Sequence, residues 1–151
     1  YRMRRTNTLL SYIRRIIKLY DSMLKPVCDR HGLAPIEVTI ISFLFNNPGR
    51  DTAADIVEFR MLSKSNVSQA VESLIQKSLL QRRQDTEDRR RIHLSLTSKS
   101  APITHEIEAV RKEFLKQIFR GFTEEEIKQF AKFNERIGEN TKIVGERGEI
   151  I

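Results

Sequence analysis

From Arg90 to Leu96 the chain alternates with period two. Ile92, Leu94 and Leu96 are apolar, and His93 and Ser95 between them are polar. This is the pattern of a half-buried strand, with Leu80–Asp85 as its partner and the polar stretch Thr86–Arg89 as the turn between them. The apolar residues on either side of this hairpin recur mostly at helical spacing. The sequence is thereby limited to a mainly α-helical fold carrying one small β-hairpin. The hairpin's far end is strongly basic, because "EDRRR" sets three consecutive arginines across the turn and the strand entry.

Residues 5–30 read as one long helix. Leu9, Ile13, Ile16, Tyr20, Met23 and Val27 alternate spacings of four and three, and Leu10, Ile17 and Leu24 form a second stripe. Two adjacent stripes make an apolar face too broad for one small domain to cover, so a second partner is expected, such as another subunit. The helix should end near His31, with Gly32 in the left-handed conformation. A second helix fits 35–46, opened by Pro35, with Val38, Ile41, Phe43, Leu44 and Phe45 supplying core. After the turn Asn46–Gly49, Thr52-Ala-Ala-Asp55 forms a capping box for a short helix reaching Phe59. Ser63 or Ser65 caps the next helix, which ends near Ser78. Beyond the hairpin, Ile103, Ile107, Val110, Phe114 and Ile118 mark a helix with Pro102 in its first turn or bending it. Thr123–Glu126 is a capping box for a last helix through about Val144, with a frayed tail from Gly145. Helix–turn–helix followed by a hairpin is the arrangement of a winged helix-turn-helix.

Charge points the same way. The net charge is +7. Residues 1–34 carry eight Lys/Arg against two acids, and residues 60–100 carry nine against four, whereas 35–59 carry one against four. Two basic blocks around a mildly acidic one favour a polyanionic partner. The longest apolar stretch, Val38–Phe45, is far too short to span a bilayer, and the basic start lacks the pattern of a signal peptide. The first helix does not oppose its basic residues to a uniform apolar face, so no membrane partner is expected. The lone Cys28 excludes an intrachain disulfide and suits a reducing, cytoplasmic location.

In the helix after Ser65, Val67, Val71, Leu74 and Ile75 share an inward face. The opposite face shows Ser65, Gln69, Glu72, Ser73 and Gln76, flanked by Asn66 and Ser68. Such a face suits the major groove of double-stranded DNA: small residues allow close approach, and amides offer a donor and an acceptor to base edges. Gln69 and Asn66 match adenine, Ser65 and Ser68 serve phosphates or bases, and Lys64 suits a backbone phosphate. On the hairpin, Asp88, Arg89, Arg90 and Arg91 are the candidate minor-groove contacts, since a guanidinium is narrow and always charged. Asp88 and Arg90 lie two apart on one side of an extended backbone, so a salt bridge between them is expected to hold the tip. Spacing alone leaves open which arginine enters the groove. Arg82 and Arg83 add phosphate contacts, and His93, on the outward strand face, reads as a surface or phosphate-contact residue.

The stretch "LSKSNVSQAVESLIQKSLLQRRQDTEDRRRIHLSLTSKS", Leu62 to Ser100, resembles the MarR family of multiple-antibiotic-resistance regulators. Asp88-Arg89-Arg90 and Leu96-Thr97 stand at the family's "DRR" and "LT", and "FTEEEIKQF" resembles the start of its last helix. Three departures accompany the match: Ser78 and Ser100 replace the family's usual glycines, and the Arg or Lys often found near Gln69 is missing. The resemblance implies an obligate homodimer that regulates transcription, most simply by repression, on a pseudo-palindromic operator. It implies that Arg90, braced by Asp88, enters the minor groove, with Arg89 as second candidate. It also divides the chain into an N-terminal dimerisation helix (1–34), a winged DNA-binding domain (35–99) and C-terminal dimerisation helices (100–151). A small-molecule effector is a further expected partner, in a pocket between the first helix and the winged part. Tyr12, Arg15 and Tyr20 are its candidate lining, though they suit an interface or a surface equally well.

Other classes fare less well. No Gly-rich phosphate loop, supported carboxylate pair or nucleophile motif marks the chain as an enzyme, and no cofactor is expected. Cys28, His31, His105 and Glu106 offer only half of a metal site, so no metal is expected either, and Cys28 reads as a buried inert thiol. The remaining alternative is a winged helix used for protein or RNA contact, which predicts weak dependence on Arg89 and Arg90.

Overall fold

The structure, a computed structural model, describes residues 3–147. Its elements follow the expected order: α1 (Met3–His31), α2 (Pro35–Asn46), α3 (Ala53–Arg60), α4 (Lys64–Gln76), β1 (Leu80–Gln84), β2 (Ile92–Leu96), a 3-10 turn (Ser98–Ser100), α5 (Ala101–Ile118) and α6 (Glu124–Arg147). The strands form an antiparallel pair with Leu80 opposite Leu96 and Gln84 opposite Ile92. The chain divides into two compact units, residues 1–114 and 115–151. Among the described residues no helix is long and apolar enough to cross a membrane.

The first unit is built on one apolar core. Val27 of α1, Val38, Ile40 and Ile41 of α2, Ile56 of α3, Val67 and Leu74 of α4, Leu80 of β1, Leu94 of β2 and Ile107 of α5 are all at most 4% exposed. Every helix and strand of the winged part therefore anchors at least one fully buried side chain, which fixes α4 and the hairpin relative to each other. Their ends are set by local chemistry. Gly32 is left-handed at φ +63° after α1. The Thr52 hydroxyl accepts the Asp55 N–H at 3.2 Å, and the Asp55 carboxylate accepts the Thr52 N–H at 3.2 Å. Ser63, rather than Ser65, caps α4 by accepting the Asn66 N–H at 3.2 Å. In the second unit Thr123 and Glu126 make the reciprocal capping pair at the start of α6.

Several details depart from the sequence reading. Phe45 is 49% exposed rather than core, whereas Phe43 two residues earlier is buried. Both strands are shorter than expected, because Asp85–Arg91 folds as a hydrogen-bonded turn. Ser78 holds the left-handed conformation, φ +63°, that the usual glycine would adopt without strain. The Thr97 hydroxyl secures it by donating to the Ser78 carbonyl at 2.6 Å. Ser100, at the other glycine position, is buried and donates to the Thr97 carbonyl, and α5 begins immediately afterwards with Pro102 in its first turn. Gly145–Arg147 continue α6, and the rest of the tail lies outside the described residues.

The broad apolar stripe of α1 is largely uncovered. Leu9, Leu10, Ile13, Ile16 and Ile17 are 40–55% exposed. Within the second unit Phe130, Phe133 and Ile137 of α6 are 46–55% exposed.

Candidate nucleic-acid interface

The winged part presents α4 and the hairpin as its polar surfaces. Lys64, Ser65, Asn66, Ser68 and Gln69 are all exposed, while Val67, Ala70, Val71 and Leu74 hold the other side of α4 in the core. The capping serine and the buried valines thus leave a small, amide-bearing surface on the first two turns, the shape that fits a wide groove. Ser73 does not belong to that surface. Its hydroxyl donates at 3.0 Å to Glu37, a carboxylate buried in α2.

Glu37 in turn fixes the C-terminal end of α4. It accepts the Ala34 N–H at 2.8 Å and the Lys77 ammonium at 2.9 and 3.0 Å, and the same ammonium donates to the Gly32 carbonyl at 3.0 Å. Burial raises the Glu37 carboxyl, but the hydrogen bonds from Ala34, Lys77 and Ser73 outweigh it, and its pKa lies below the ordinary value.

The wing tip is tied by its carboxylates. Asp85 accepts the N–H groups of Glu87 at 3.1 Å and Asp88 at 2.8 Å, an Asx-type turn. Asp88 accepts the N–H of Arg90 at 3.0 Å, and the Arg91 N–H reaches the Asp88 carbonyl at 3.0 Å. The expected Asp88–Arg90 salt bridge does not form; Asp88 braces Arg90 through the main chain. Arg89, Arg90 and Arg91 are exposed, and none has an ion-pair partner among the described residues. Arg82 is exposed but paired with Glu72 of α4, and Arg83 is exposed.

His93 is not the outward surface residue that alternation suggests. Its side chain is only 14% exposed, with Nδ1 2.8 Å from Asp51 and Nε2 2.7 Å from Asp85. The hydrogen bonds to Asp85 and then Asp51 raise its pKa, and His93 is the largest of the influences holding Asp85 down at about 2. No local sequence signal points to Asp51, which lies 42 residues away.

Two of the first unit's grooves bear on the expected contacts. One, of about 490 Å³, lies between α3, α4 and the hairpin, with Lys64, Ser68 and Arg82 on its rim. The other, of about 360 Å³, lies between α1 and α2 and is lined by residues such as Asp21, Leu24, Cys28 and Leu33; Tyr12, Arg15 and Tyr20 are not in its wall. Tyr20 instead packs edge-on against Phe114 at 4.9 Å, and burial raises its hydroxyl pKa. The Arg15 guanidinium lies 5.9 Å from the Tyr12 ring, and both are exposed. Cys28 is buried, and that burial pushes its thiol up, away from the reactive range. His31 and Arg30 both bond Glu106, and no group of three His, Cys, Asp or Glu side chains among the described residues is placed to hold a metal ion.

Comparison with known proteins agrees with this geometry. The model of the MarR family matches residues 31–91. The HTH-type transcriptional repressor MdtR of Bacillus subtilis is 29% identical over 122 residues, covering 81% of this chain and 77% of that protein. The HTH-type transcriptional regulator MhqR of the same organism is 26% identical over 122 residues, covering 81% and 83%. Among solved structures, a MarR transcriptional regulator from Methanosarcina mazei superposes with a TM-score of 0.78 at 15% identity, covering 91% of this chain and 99% of that one. The crystal structure of MarR gives 0.67 at 24% identity, covering 88% and 96%. These structures share the fold of this chain, a mainly helical winged helix-turn-helix.

Proposed function

We propose that the chain is a DNA-binding transcriptional regulator of the MarR family, whose model matches residues 31–91, and that it represses transcription as a homodimer bound to a pseudo-palindromic operator. The observation that carries this reading is the wing tip: three adjacent exposed arginines without ion-pair partners among the described residues, on a turn tied to the same core as α4. Guanidinium groups left unpaired on a protein surface are ready to meet phosphates and the strongly negative minor groove. Arg90 enters that groove, with Arg89 beside it. Lys64, Ser65, Asn66, Ser68 and Gln69 face base edges and phosphates in the major groove, and Arg82 and Arg83 add backbone contacts. Engaging a phosphate requires Arg82 to give up Glu72.

The dimer is supported by the uncovered apolar side chains of α1 and, separately, of α6. Apolar stripes of that breadth mark an interaction surface. Residues 1–34 and 100–151 supply it, and 35–99 supply the DNA contacts. A small-molecule effector would act by binding one spacing of the two α4 helices better than the other, the only way it can shift DNA affinity. Tyr12, Arg15 and Tyr20 are kept as its contacts, on the half of α1 that a second copy would wall in.

Sequencing the duplexes retained by the purified protein from a randomised pool at low salt tests the proposal. Enrichment of an inverted repeat supports it. Retention without enrichment, or retention of RNA or protein in preference to duplex DNA, overturns it in favour of an interaction module.

A further inference from the structure

The wing of this chain is held at its base by a feature that DNA contact alone does not require. A carboxylate can only accept hydrogen bonds, so a ring with a carboxylate oxygen within 2.8 Å of each nitrogen must carry a proton on both. His93 therefore sits between Asp51 and Asp85 as an imidazolium, donating from Nδ1 at 2.8 Å and from Nε2 at 2.7 Å. Its two partners come from different parts of the chain. Asp51 precedes the capping residue of α3, and its carbonyl also accepts the Leu94 N–H at 2.7 Å. Asp85 is the residue whose other carboxylate oxygen organises the tip, taking the N–H groups of Glu87 and Asp88.

We propose that His93 is a positioning residue for the wing, a protonated clamp that joins the arginine-bearing tip to the turn before α3 and weakens DNA binding when it loses its proton. The proposal rests on the DNA-binding reading above. The chain of contacts runs Asp51, His93, Asp85, the Glu87 and Asp88 amides, then Asp88 to the Arg90 amide at 3.0 Å. Removing one ring proton leaves a lone pair facing a carboxylate oxygen, and repulsion replaces a charge-assisted bond. The tip then keeps its turn bonds and its place at the end of the β1–β2 ladder, but loses the side-chain link from Asp85 to the turn before α3.

The charges around the ring favour the protonated state. Asp85 comes from the tip and Asp51 from the turn before α3; Arg83, opposite His93 on β1, is the cation acting against it. Neither α2 nor α3 contributes an ion pair to the ring among the described residues. The net effect raises the ring's pKa above its ordinary 6.5, so the clamp stays closed to a higher pH than an ordinary imidazole would allow and opens as pH rises.

A direct phosphate contact by His93 would make a different prediction, and Asp51 separates the two. Its side chain bonds only the ring among the described hydrogen bonds, so replacing it leaves the tip's own turn intact. Removing a negative charge near DNA should tighten binding if the ring merely touches phosphate. It should weaken binding if the carboxylate closes the clamp.

The test uses the full chain in two measurements. The first follows the ¹⁵N-labelled histidine rings through a pH titration without DNA, with His93 assigned by its absence in His93→Gln. Both ring nitrogens of His93 are expected to carry protons at neutral pH, with the midpoint moving to lower pH in Asp51→Asn. An unchanged midpoint overturns the clamp. The second measures anisotropy of a labelled duplex recovered from the randomised pool, at fixed salt, from about pH 6 to about pH 9. Wild-type affinity should fall by up to about a hundredfold per pH unit, the limit for two linked protons, one from each wing of the dimer. His93→Gln and Asp51→Ala should lose that slope and bind roughly tenfold more weakly than wild type at the acid end. Tighter binding by Asp51→Ala, or a slope shared by all three proteins, overturns the positioning role. If wild type retains no duplex at all, the functional reading fails, while the ring titration still reports whether the clamp exists.

Discussion

Asp88 grips Arg90 by its main chain, accepting the Arg90 N–H at 3.0 Å while leaving the guanidinium without an ion pair among the described residues. The carboxylate therefore shapes the tip without neutralising the cation that the tip presents. Arg90→Ala should weaken operator binding by about 1.5–3 kcal/mol, the worth of a hydrogen bond to a charged group, with the melting temperature unchanged. Asp88→Asn keeps an acceptor for the amide and should bind nearly as well as wild type, whereas Asp88→Ala should not. Anisotropy titrations of the three variants beside thermal melts check this.

Gln69 is exposed on the second turn of α4 and is flanked by small side chains. Gln69→Ala should cost about 1–3 kcal/mol on the selected operator and relax preference at one base position in each half-site. Lys64→Ala should instead weaken all duplexes alike. Competition against single-base variants of the operator separates the two.

Lys77 neutralises a carboxylate that is only 5% exposed. Lys77→Met leaves Glu37 buried with its bonds to Ala34 and Ser73 alone, and should lower stability by about 1–3 kcal/mol in chemical denaturation. Because the folded pKa of Glu37 lies below its ordinary 4.5, the stability it contributes is present above that pH and is lost on acidification. The gap between wild type and variant should therefore narrow as pH falls.

The His93 pair sets a window on both sides. Asp85 is held at about 2 against an ordinary 3.8, so its contribution is full above 3.8 and lost as pH falls towards 2. His93 is raised above 6.5, so its contribution is full below 6.5 and lost as pH climbs through the folded value. Wild type minus His93→Gln, followed by denaturation across pH, should show a plateau between those limits and decline at both ends.

The architecture was legible because its determinants are local. Capping pairs at Thr52–Asp55 and Thr123–Glu126, Gly32 after α1, and the alternation in β2 each act within a few residues, and each lies where the sequence placed it. What the sequence hid depends on distant partners. Alternation puts His93 opposite Leu94 and so outward, but the turn before α3 covers that side with Asp51. Ser73 lies on the polar side of α4 by helical geometry, yet α2 brings a buried carboxylate to it. Phe45 counts as apolar at helical spacing, but α2 already buries Val38, Ile41 and Phe43 and leaves Phe45 in solvent. Asp88 and Arg90 are close enough for an ion pair only on an extended backbone, and the tight turn redirects the carboxylate to an amide.

The measurement that bears most directly on the account is the salt dependence of binding to the selected operator, wild type against Arg90→Ala. Each phosphate contact adds about 0.9 to the slope of log affinity against log salt. Wild type should show a steep slope, and Arg90→Ala a lower affinity at every salt concentration. A shallow wild-type slope, or superimposable titrations for the two proteins, would contradict this.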